Sequence, residues 1–134
     1  MPTVNMFILE NLIAPLGGTA DMDDEKATAL REVDGNNESD VKNVLYQEIK
    51  PYYDSRSNDH KISIKRSLSY YLTTDKVDFG RMYDSVLIAF GHPTNPKDFF
   101  IWIWEILFPK EKYNLDNLNQ YIEIEDINEA NNYL

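Results

Sequence analysis

The densest group of possible metal ligands is Asp21-Met22-Asp23-Asp24-Glu25, eleven residues before Glu32. Read as a calcium loop beginning at Asp21, the segment puts acids at positions 1, 3, 5 and 12, but position 6 is Lys26, where the sharp turn requires glycine. A lysine there would also compete with the ion. The acids therefore read as the first turn of a helix, where the positive end of the helix dipole favours them, and no metal is expected. His60 and His92 are the only histidines, each in a predicted loop. Near Lys61 they could form an acid–base pair for RNA cleavage, yet no fixed spacing links them, and both read as solvent-exposed. No Gly-x-Ser-x-Gly elbow, P-loop or Gly-x-Gly-x-x-Gly turn is present, and Gly17-Gly18 is simply a turn. The chain has no cysteine, which excludes a disulfide framework, thiol catalysis, iron–sulfur clusters and cysteine zinc sites. No catalytic residue and no cofactor is assigned, and the chain is not expected to be an enzyme.

Charge is more informative than any motif. The 134 residues carry 13 bases against 23 acids, a net charge of −10. Residues 1–50 are net −6, residues 51–100 net +1 and residues 101–134 net −5. Such a field repels DNA and RNA unless a local patch overrides it. The one basic stretch, Arg56, Lys61, Lys65 and Arg66 with Tyr70 and Tyr71 nearby, reads as the soluble outer face of a helix. The N-terminal apolar run has no basic lead-in, since the first base is Lys26, and Glu10 and Asn11 interrupt it. It is not expected to act as an export signal. The most apolar segment, Phe99 to Phe108, has ten residues against the roughly 20 that span a bilayer. A cytoplasmic protein without nucleic-acid or membrane partners is expected.

The elements that must position these groups follow helix-period spacing. Helices are predicted over Thr3–Ile13, from Asp21 to about Val33, from a cap at Ser39 through Ile49, and over Ile64–Thr73. Another is predicted from a cap at Asp78 through Phe90. Pro96–Phe108, announced by Asn95-Pro96-Lys97-Asp98, is apolar nearly all round and belongs at the centre of a bundle. Pro51 should disturb the third helix, and 54–60 reads as a polar loop. Tyr113–Gln120 reads as a short helix. Residues 121–125 and 61–65 alternate with period two and could pair, lysines opposite glutamates. The expected fold is all-α, one compact single-domain bundle of five to seven helices over residues 1–134, with a minor two-stranded β element at most.

Nine tyrosines are many for this length, and Tyr52, Tyr53, Tyr113, Tyr121 and Tyr133 fall outside the apolar stripes. Tyrosine, with a rigid ring and a polar tip, is favoured at interfaces. In overall profile, small, cysteine-free, acidic and tyrosine-rich, the chain resembles the bacterial immunity proteins that neutralise nuclease toxins of colicin-like and contact-dependent growth inhibition systems. The resemblance implies a stoichiometric inhibitor that presents carboxylates to the basic groove of a toxin domain. The expected contact residues are Asp21, Asp23, Asp24, Glu25, Glu32, Glu123, Glu125, Asp126 and Glu129, with Tyr113 and Tyr121 as anchors. Chain termini often lie close together in single domains, so the two acidic ends could merge into one face. Another acidic regulatory module, a DNA mimic or a small-molecule enzyme are the competing classes.

Overall fold

A computed structural model describes residues 2–17 and 24–132. These residues form seven α-helices and one two-stranded parallel sheet. The centre is the helix α6, Pro96–Leu107 (numbered in chain order with those introduced below). Asn95 Oδ1 accepts from Lys97 N, proline occupies the first turn and Asp98 follows it, the start that the sequence announces. Phe99, Phe100, Trp102, Ile103 and Trp104 are buried on this helix, each contributing about 1.5–3 kcal/mol. Around it pack α3 (Glu38–Asp54), α4 (Asn58–Thr74) and α5 (Phe79–Asp84). The helix α1 (Met6–Ile13) adds Ile8, Leu9, Leu12 and Ile13 to the same core. The helix α2 (Asp24–Arg31) buries only Ala27 and Leu30, as its thin stripe predicts; its predicted cap, Asp21, lies outside the described residues.

Several expectations fail for local reasons. The cap of α3 is Asn37 rather than Ser39, its side chain accepting from Asp40 N, and the helix runs through Pro51 to Asp54. Only three residues then precede α4, which Ser57 caps through His60 N. The predicted loop 54–60 is thus mostly helix, and His60 is buried, 1% exposed, with Tyr52 edge-on to its ring. Residues 61–65 are helical, not a strand. Asp78 caps α5 as expected, but the helix stops at Asp84. Leu87 takes a left-handed backbone, φ 59°, and is 75% exposed, while Tyr83 Oη donates to Phe90 O at 2.5 Å and closes the turn. A Cβ on Gly17 would meet Val86 O at 2.0 Å; this turn therefore lies against the end of the 14–16 segment.

The sheet joins the chain ends. The strand β1 is Thr3–Asn5, which the sequence reading assigns to the first helix, and β2 is Ile122–Ile124. They run parallel, with Val4 opposite Glu123. Of 113–120 only Leu118–Gln120 turns, as a single 3-10 turn, and an unforeseen α7 spans Ile127–Asn131. Asn5 ties these pieces together. Its Oδ1 accepts from Phe7 N at 2.9 Å, capping α1. Its Nδ2 donates to Asp126 O at 2.9 Å and to Glu129 Oε2 at 2.6 Å. Its backbone N–H donates to Ser67 Oγ on α4 at 3.1 Å.

Two stability predictions follow from these buried groups. Asn5→Ala removes a helix cap and leaves part-buried partners unpaired, a loss on the order of 2–4 kcal/mol. Calorimetry should show a fall of roughly 10 °C in melting temperature; a change of a degree or two would contradict this role. For His60, burial and then Arg56 hold the imidazole pKa below its ordinary value. The unfolded chain therefore binds the extra proton, and the stability of neutral His60 is complete above about pH 6.5 and declines as pH falls below it. Urea midpoints should drop between about pH 7.5 and 5.5, and His60→Gln should flatten that slope.

Candidate partner-binding surface

The acids of the C-terminal segment are held by backbone geometry rather than left on a loose tail. Asp126 caps α7 through Asn128 N at 2.9 Å. Glu129 is half-buried and engaged by Asn5, so its role is structural. Glu123, Glu125 and Asp126 are exposed, and on either side of them Ile122 and Ile127 stand 42% and 50% exposed. Among the described residues the one base in ion-pair range of these three acids is Lys76, 3.9 Å from Glu123 and 3.2 Å from Tyr70 Oη. The carboxylates of Glu123 and Glu125 reach Tyr71 electrostatically. Burial first, then Glu123, Tyr70 and Glu125, push the Tyr71 hydroxyl well above its ordinary pKa, against a backbone hydrogen bond at Met6.

Among the described residues the outer edge of β2 carries no further strand. Ile122 N–H donates to Pro2 O, so the backbone groups of Ile122 and Ile124 face β1 while the N–H and C=O of Glu123 point away from it. The far side of β1 is covered by α4, through Ser67 and an Arg66 Nη1 contact to Thr3 O at 3.4 Å. Glu123 thus presents an exposed carboxylate, and among the described residues its backbone N–H and C=O have no hydrogen-bond partner.

Acids near the other end are anchored differently. Asp24, Glu25 and Glu32 are exposed on and just after α2, which Lys26 ties to Glu48 of α3 at 2.7 Å. The 34–37 turn is fixed to the 91–94 turn, Asn36 Oδ1 accepting from Thr94 N at 2.7 Å. The chain ends do meet, through β1 and β2, but the acids of 24–32 are fixed through α3 and those of 123–126 through β1 and α1. Asp21, Asp23 and Tyr133 lie outside the described residues.

Of the tyrosines expected to be unclaimed, Tyr52, Tyr53, Tyr113 and Tyr121 are in fact half-buried and packed against the core. Tyr121 leans on Tyr70 with ring centroids 5.7 Å apart. Tyr113 lends its carbonyl to the hydroxyls of Ser69 and Thr73, and Tyr52 and Tyr53 flank α4. Among the described residues the tyrosine that does project is Tyr46, 59% exposed. Its position one residue past Leu45 of the buried Val41-Val44-Leu45-Ile49 stripe is the signal that the sequence reading passed over.

Beside the ridge lies a cleft of about 470 Å³, lined by Met6, Phe7, Glu10, Val77, Met82 and Ser85 among others, with Lys76 linking it to Glu123. Burial raises the pKa of Glu10 against an opposing hydrogen bond from Ser85 Oγ at 3.3 Å. The histidines share no site: His60 packs on Tyr52, whereas His92 is half-buried edge-on to Tyr83 with Nδ1 2.7 Å from Pro93 O. Among the described residues no three His, Asp or Glu side chains are grouped to hold a metal, and no helix is long and apolar enough to cross a membrane. No protein-family model, curated protein or solved structure matches this chain.

Asp24 and Glu25 occupy the first turn of α2, where the helix dipole accounts for them without an ion. Millimolar calcium should therefore leave the melting temperature unchanged. A true loop site, saturated at that concentration, would raise stability by about 3 kcal/mol or more.

Proposed function

We propose that this protein is a stoichiometric inhibitor of the immunity type, binding a basic protein, a nuclease toxin domain, through the ridge formed by β2 and the start of α7. The observation that carries the reading is the combination at Glu123, Glu125 and Asp126. Their carboxylates are exposed and, among the described residues, have one base nearby, they are flanked by the exposed Ile122 and Ile127, and Glu123 sits on a strand that is paired on one edge only among the described residues. Carboxylates steer a basic partner and raise the association rate. Ile122 and Ile127 supply apolar area, and the Glu123 backbone can accept an extended segment of the partner as a third strand. Asp24 and Glu25 on α2 add to the steering field from a second position.

The test is charge reversal measured against a basic nuclease domain encoded by a neighbouring gene, by surface plasmon resonance and growth protection. Glu123→Lys with Glu125→Lys spares the Asp126 cap, so stability should change by no more than about 0.5–1 kcal/mol. Binding should weaken by roughly two orders of magnitude, mainly through a slower on-rate. Lysines at Asp24 and Glu25 should slow association less, and lysines at Asp54 and Asp59 should have little effect. Wild-type binding and protection by the Glu123/Glu125 variant, or a neighbouring gene for no basic protein at all, would contradict the reading.

A further inference from the structure

On this acidic chain one concave region is cationic. A cleft of about 380 Å³ runs between α4 and the segment that follows α6, lined by Ile62, Lys65, Arg66 and Ser69 from α4, Trp104 from α6, and Glu111, Lys112, Leu115 and Tyr121. The α4 residues are spaced i, i+3, i+4 and i+7, which places them on one helix face. The opposite wall is fixed. Trp104 Nε1–H donates to Glu111 O at 2.8 Å, Thr73 Oγ1 accepts from Leu115 N at 3.1 Å, and Ser69 Oγ donates to Tyr113 O. The cleft is therefore a preformed feature and not a gap between mobile parts.

Its charges do not cancel. Lys65 is matched by Glu111 at 2.7 Å and lies over the Phe108 ring. Arg66 makes one long contact, 3.4 Å to Thr3 O, and Lys112 is exposed. Among the described residues no carboxylate lies within ion-pair distance of either. Two unmatched cations thus border a floor of apolar and aromatic groups, with Ile62 53% exposed at its mouth. The volume is within the range of small-molecule sites, at the low end of roughly 300–1,000 Å³.

We propose that this cleft binds a free carboxylic acid with an apolar body, its carboxylate held by Arg66 and Lys112 and its chain or ring laid on Ile62, Leu115 and Tyr121. The guanidinium donates to the carboxylate in forked geometry, and the ammonium of Lys112 adds a second donor. A neutral ligand of the same shape forfeits both charge-assisted contacts. Its cations belong to α4 and the 110–112 turn, and the carboxylates of the ridge are not among its lining residues.

Octanoate is the probe, followed by ¹H–¹⁵N correlation spectra of the whole chain. Saturable shifts are expected at the Trp104 indole N–H and at the amides of Lys112, Leu115 and Tyr121, while the Trp102 indole stays in place. Octanol should bind about tenfold more weakly or worse, the loss expected when a charge-assisted contact is removed. Arg66→Gln with Lys112→Gln, checked for folding by its melting curve, should abolish the preference for acid over alcohol. Shifts that do not saturate, equal binding of octanol, or an unchanged preference in the double variant would overturn the proposal. Tighter binding of acetyl-Gly-Gly-Leu with a free carboxylate would overturn the choice of a free acid in favour of a protein C-terminus.

Discussion

The side chain of Asn5 is 1% exposed, and a buried amide with unmade hydrogen bonds costs more than any surface contact returns. Its environment must therefore supply partners, and it does so from the start of α1 and from the 126–129 segment 121 to 124 residues away, while α4 receives the backbone N–H of the same residue. That single requirement fixes where the last ten or so described residues lie. Because the Asp126 carbonyl and the Glu129 carboxylate must reach Asn5, β2 is drawn alongside β1, and its acids are displayed on an ordered ridge. The same contact assigns the acids their roles. Glu129 is consumed in holding the structure, whereas Glu123 and Glu125 are left facing water.

A second set of side chains does comparable work on the opposite side of β1. Ser67 on α4 receives the Asn5 N–H of β1, and the buried or half-buried hydroxyls of Ser69 and Thr73 bond backbone that has no regular structure of its own. Residues 110–117 form no helix or strand, so their backbone groups need partners from elsewhere. The hydroxyls supply some of these and turn an irregular segment into a fixed wall. Both candidate surfaces depend on this arrangement. The acidic ridge is pinned through Ser67 and Asn5, and the cationic cleft exists because Ser69 and Thr73 hold its outer wall to α4.

How much of this was legible in the sequence depends on the range of the interactions involved. The helix α6 could be read because cap, proline, acid and apolar run all lie within about a dozen neighbouring residues and agree with one another. The Lys61–Lys65 run could not be read locally. Ile62 and Ile64 alternate as in a strand, but Ile64, Leu68, Tyr71 and Leu72 share a helix stripe, and the Ser57 cap with burial of that stripe decides the outcome. Residues 121–125 do contain a strand, but its partner is β1 at the other end of the chain, and three residues of Thr-Val-Asn carry no period that distinguishes them from a helix start. The acids of the ridge were identifiable by charge alone. The half-burial of Tyr113 and Tyr121 was not, because it results from docking of the irregular segment onto α4. His60 misled for a related reason: polar neighbours suggested a loop, while the cap at Ser57 places it in a first turn whose inner face is buried.

The strand β2 is paired on one edge by β1, and among the described residues the backbone of Glu123 is unpaired on the other. Amide hydrogen exchange resolved at single residues tests this arrangement in the free protein. The N–H groups of Ile122 and Ile124 should exchange slowly, that of Glu123 rapidly, and all three rapidly once Asn5 is replaced by alanine. Slow exchange at Glu123 in the free protein, or rapid exchange at Ile122 and Ile124 in the wild type, would contradict the account.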